Sequence, residues 1–135
     1  MRVLIGMLAL LGAAPALAAG PDQAALDDAV RLGTMATLAP LCGVRDEPWA
    51  FDLRRAAILR STGTNRPDDG ALRTAPGSTL VQGALGYAET EATENFAEQA
   101  PEATCGPLAD STELRDADAI VQMFRALKAL SPPSS

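Results

Sequence analysis

Leu41-Cys42-Gly43-Val44-Arg45-Asp46-Glu47-Pro48-Trp49-Ala50-Phe51-Asp52-Leu53-Arg54-Arg55-Ala56-Ala57-Ile58-Leu59-Arg60 holds one of two cysteines, the single tryptophan and the clearest helix start of the chain. Asp46-Glu47-Pro48 is that start. An acidic side chain caps free N–H groups, and proline suits a first turn because its missing N–H would have no partner there. A helix is therefore expected from about Glu47. At 100° per residue, Trp49, Ala50, Leu53, Ala56 and Ala57 share one broad sector, an ordinary core-facing stripe. Phe51 and Ile58 do not. They lie roughly 180–200° from Trp49, with Arg54 and Arg55 beside them. A helix that is apolar on two sides either has neighbours on both or shows one side to a partner. Phe51 and Ile58 are thus core, or a partner-binding patch with Arg54 and Arg55 as its cationic rim.

Upstream, Asp22 is a plausible cap. Leu26, Val30, Gly33, Thr37 and Leu41 then follow on one helical face, with Ala25, Ala29, Leu32 and Ala36 next to it. Pro40 ends this helix or tightens its last turn, and Cys42-Gly43 turns the chain toward the next. At the N-terminus, Met1-Arg2 and the apolar run Val3 to Leu11, followed by Ala16-Leu17-Ala18, have the form of a secretory signal peptide over residues 1–18. The apolar run is too short for a typical span. A periplasmic or secreted protein is expected, without stable membrane insertion after cleavage.

Downstream, residues 61–77 are rich in turn formers and poor in apolar residues, so a long loop is expected between the second and third helices. Thr79 and Gln82 have the spacing of a capping box opening the third helix. Val81, Ala84, Leu85, Ala88, Ala92 and Phe96 keep to one face, and Gly83 with Gly86 offers a place for a neighbouring helix to come close. Tyr87, Glu91, Glu94 and Glu98 make a second, acidic face. Cys105-Gly106-Pro107 reads as a turn, and Asp110 with Glu113 as the start of a last helix. That helix buries Leu114, Ala117, Ile120, Val121, Phe124 and Leu127. Residues 131–135, polar and rich in proline, are expected to be a disordered tail. The expectation is an all-α protein: a single domain over residues 19–130, four helices, stapled by one disulfide.

The chemistry is bounded mainly by what is missing. There is no histidine, which removes serine–histidine and cysteine–histidine arrangements and histidine-bearing zinc sites. Two distant cysteines make neither a Cys-x-x-Cys motif nor an iron–sulfur site; in an exported chain they pair, Cys42 with Cys105. The formal net charge is −6, and loss of Arg2 with the leader makes it one unit more negative. Between Tyr87 and Asp118 nine acids stand against Arg115 alone, so no nucleic-acid partner is expected. Clustered carboxylates can bind a hard cation or do acid–base work, but a solvated acidic face accounts for these as well. No catalytic residue, metal site or cofactor is assigned.

Three functions follow in order of economy. The first is a non-catalytic accessory module that binds another periplasmic or envelope protein. The second is an acid- or stress-activated chaperone: in size, export and cysteine number the chain resembles the small single-disulfide helical acid-stress chaperones of the bacterial periplasm, a likeness that extends to no motif. The third is a carboxylate-based enzyme using the glutamate stripe or the 61–77 loop.

Overall fold

The computed structural model describes residues 20–131; the expected signal peptide and residues 132–135 of the expected tail lie outside them. Every regular element among the described residues is helical: α1 (Gln23–Leu41), α2 (Glu47–Thr62), α3 (Asp69–Thr74), α4 (Ser78–Glu98), α5 (Pro101–Ala109) and α6 (Thr112–Leu130). The four long helices α1, α2, α4 and α6 are those the sequence predicts. The two short ones are additional, and each lies where a loop or a turn was expected.

The caps follow from local chemistry. Asp22, Asp46, Asp68 and Ser111 each accept a backbone N–H three residues ahead, from Ala25, Trp49, Ala71 and Leu114 respectively. Each such contact satisfies one otherwise unpartnered donor of a helix start, a contribution of about 1 kcal/mol. Ser111, rather than the expected Asp110, caps α6. The expected Thr79–Gln82 box does not form, because the chain enters α4 one turn position earlier. Gly77 holds the N-cap position at φ 85, and a Cβ there would stand 2.2 Å from Pro21 Cδ. Only glycine satisfies both the left-handed backbone and the close approach. Gln82 Nε2 then donates to Ser78 Oγ, whose own hydroxyl donates to Leu72 O.

Within the 61–77 segment, Asp68 caps a helix of six residues whose Leu72 is buried. Six residues are too few to show a helical period, so turn formers dominated the sequence pattern there. Pro40 lies inside the last turn of α1; Gly43, at φ 69, reverses the chain after Cys42 and donates to Pro40 O.

α1 is the central element, packed most extensively against α4 and α2 and touching α5 and α6 as well. Leu32, Leu53, Val81, Leu114, Val121 and Phe124 are the large side chains with almost no exposure, and alanines fill the spaces between them. Small side chains let helix axes approach, and Gly33 marks a close approach of α1 and α4: a Cβ there would stand 2.9 Å from Ala88 Cβ. Gly83 and Gly86, expected to serve that purpose, are exposed with nothing near them. The α1–α4 seam runs through Leu85 and Ala88 instead, one face round the helix.

Cys42 and Cys105 are bonded, joining the C-terminal end of α1 to the middle of α5 across 63 positions of sequence. Residues 105–107 are helical rather than a turn, and Leu108 is the buried side chain of α5. With so little apolar burial of its own, α5 depends on the disulfide for its place. No helix among the described residues is long and apolar enough to cross a membrane.

Candidate functional site

The outer side of α2 carries Phe51, Arg55 and Ile58 in one row, positions three and four apart that lie one above another on a helix. The structure separates their fates. Leu72 of α3 packs into a small cluster with Ala56 and Phe124, and Ile58 is half-buried against it. Phe51 remains 57% exposed. The segment expected to be a loop is thus the lid over one end of the patch.

Arg55 lies between them with its side chain only 12% exposed. Its guanidinium stands 5.1 Å from the Phe51 ring centroid and 5.3 Å from that of Phe124. A cation over a partly desolvated ring gains about 1–2 kcal/mol, which helps to offset the loss of water around the charge. Its Nη2 donates to Asp69, and its Nη1 lies 3.8 Å from Asp52, which also accepts from Arg125 Nε at 2.7 Å. Nε of Arg55 is buried without a hydrogen-bond partner.

Arg54 turns to the opposite side, toward Ala36 O at 3.4 Å and Thr37 Oγ1 at 3.5 Å, and lines a polar groove with Glu47 and Glu89. It does not border the patch. The second cation there is Arg73 of α3, and Phe51, Arg55, Ile58, Asp69, Leu72, Arg73 and Gln82 enclose a groove of about 250 Å³. Sequence reasoning missed Leu72 and Arg73; the Asp68 cap followed by a leucine four residues later was the available signal.

A second groove, of about 260 Å³, runs between α2 and α6 and is lined by Ala56, Leu59, Arg60, Ala119, Ile120, Met123, Phe124 and Leu127. Of the stripe expected to be buried in the last helix, Leu114, Ala117, Val121 and Phe124 are buried, whereas Ile120 and Leu127 are half-buried at this groove. Met123 on its edge is 68% exposed and Leu130 beyond it 83%.

At the opposite end of α2, Asp118 of α6 accepts from Arg45 Nε at 2.8 Å and from Trp49 Nε1 at 2.9 Å. The Arg45 hydrogen bond, outweighing partial burial and aided by its charge and by Trp49, holds the Asp118 carboxyl below the usual aspartate value. This latch ties the α1–α2 turn to α6.

Tyr87, Glu91, Glu94 and Glu98 all face solvent on α4. Hydrogen bonding to Glu91 and its charge raise the Tyr87 hydroxyl. Of the arginines of α2, Arg60 pairs with Asp28 and Arg55 with Asp52 and Asp69, while Arg54 shares its groove with Glu89 of α4. No group of three or more potential metal-ligating side chains occurs among the described residues. The α2–α3 groove combines an apolar floor with the exposed Arg73, Arg55 being already paired with Asp69 and Asp52, and an apolar side chain beside a carboxylate would suit it.

Compared with protein-family models, with curated proteins and with solved structures, the chain matches none.

Proposed function

We propose that the chain is a small exported helical interaction module, without catalysis of its own, that binds another periplasmic or envelope protein through the outer face of α2 and α3. The exposed Phe51 ring beside Arg55 and Arg73, above the half-buried Ile58 and buried Leu72, carries this reading. A large aromatic at a groove with guanidinium neighbours is the usual composition of an interface hot spot. The leader-like residues 1–18 and the Cys42–Cys105 bond support an oxidising, exported location. The complementary element of the partner is an apolar side chain next to a carboxylate.

The test is retention of a partner from envelope extract on the immobilised, disulfide-bonded protein. One stoichiometric partner retained by the natural chain, and reduced at least about tenfold by Phe51→Ser and by Arg73→Glu, is the expected result. Equal retention by the variants would sink the reading.

The Arg45–Asp118–Trp49 latch favours a second reading, the acid-activated chaperone. Protonating Asp118 removes the ion pair that holds α6 to the α1–α2 turn, which would open apolar surface only in strong acid. Dye binding that rises below about pH 4 together with suppression of client aggregation would favour it; a flat response to pH 2 would exclude it.

A further inference from the structure

The groove between α2 and α6 is separate from the Phe51 surface and nearly free of polar groups, with Arg60 the one charged residue in its lining. We propose that it is occupied by a second copy of this chain, the two α6 helices packing antiparallel about a two-fold axis near Met123.

The outward side of α6 carries Asp116, Ala119, Met123, Leu127 and Leu130, spaced at three, four and seven residues, so they form one continuous row. Of these Ala119, Met123 and Leu130 are exposed and Leu127 is half-buried. An apolar helical row beside an apolar groove is self-complementary, because each copy offers both knob and slot, as a closed two-fold interface requires.

The charges fix the direction. α2 and α6 run parallel in the fold: Arg45 meets Asp118 near their starts, and Asp52 meets Arg125 further along, at the same sequence offset. Arg60 therefore stands level with the C-terminal end of α6. In an antiparallel pair centred on Met123, that end lies beside Asp116 of the other copy. Arg60 is 45% exposed, held at 3.2 Å by Asp28 of its own chain, so its outer side remains open to a second carboxylate. The arrangement brings Asp116 to Arg60 twice, once in each half of the interface. A parallel pair would set Asp116 against Asp116, a like-charge contact that disfavours it, and leave Arg60 with Asp28 alone.

Sedimentation equilibrium of the full disulfide-bonded chain tests this. The expected result is a mass rising with concentration toward twice that of one chain. Met123→Glu should give a monomer with unchanged helix content, since Met123 is exposed, and with a melting temperature that no longer rises with concentration. Asp116→Arg should weaken association by about tenfold or more, and pairing it with Arg60→Asp should restore most of the loss. A monomer at every concentration up to about 1 mM overturns the proposal and leaves the groove to a different protein. A dimer indifferent to Met123→Glu also overturns it.

Discussion

Gly33 of α1 lies directly against Ala88 of α4, so that a Cβ on the glycine would stand 2.9 Å from the alanine methyl and 3.3 Å from Leu85 Cα. Neither neighbour is the flexible end of a side chain, so a larger residue forces the two helix axes apart. Gly33→Val is expected to destabilise the fold by about 1–3 kcal/mol. Gly83→Ala and Gly86→Ala, at exposed helix positions with open space around them, are expected to stabilise by about 0.5–1 kcal/mol each. Urea titrations of the three variants check the opposite signs.

The disulfide and the buried Leu108 are the two anchors of α5. Replacing Cys42 and Cys105 by alanine should lower stability by as much as about 4 kcal/mol on the chain-entropy model for a loop of this length. Amide exchange resolves the change: protection is lost first in residues 101–109, while α1, α2 and α4 retain theirs until the whole domain opens.

Acid acts through Asp118. Its carboxyl lies below the ordinary value in the folded protein because Arg45 and Trp49 favour the charged form. A depressed carboxyl contributes stability that is fully present above its unfolded value, near pH 4, and is lost as pH falls through the lower folded value. Asp118→Asn should therefore cost about 1–3 kcal/mol at neutral pH and flatten the fall in stability below pH 4. Trp49 fluorescence, followed through urea unfolding at a series of pH values, reads both effects.

Leu72 and Phe51 belong to the same groove but differ in burial. Leu72→Ala should cost about 2–4 kcal/mol, because the α3 lid then loses its anchor against Ala56 and Phe124. Phe51→Ser should cost only about 1–2 kcal/mol, the cation–π contact with Arg55, because more than half of the ring is already in water. Thermal unfolding of the two variants distinguishes them.

The long helices were legible because their signals are local and repeated: Asp22 and Asp46 as caps, the Trp49–Leu53–Ala57 face, the Leu114–Val121–Phe124 face. The Cys42–Cys105 pairing follows from there being two cysteines and no other partner for either. α3 and α5 were hidden because neither is long enough to show a period, and each is held by one buried leucine, Leu72 or Leu108. The row Phe51, Arg55 and Ile58 was visible on the helical wheel, but its division was not. Leu72 comes from a segment whose composition resembles a loop, and the stacking of Arg55 between Phe51 and Phe124 joins residues from two distant helices. Gly33 was placed on the right face while Gly83 and Gly86 were credited with its role, since a glycine's neighbour is a tertiary fact. Arg54 and Arg55 are adjacent in sequence and 100° apart on the helix, which is why one faces the groove and the other faces Thr37.

The proposed partner meets the outer face of α2. The most direct measurement places a photo-reactive benzoyl-phenylalanine at position 51, with a control at Glu94 on the exposed acidic face, and irradiates cells producing the disulfide-bonded chain. The expected result is one crosslinked adduct with a different protein from position 51 and none from position 94. No adduct from position 51, or one only from position 94, would contradict it.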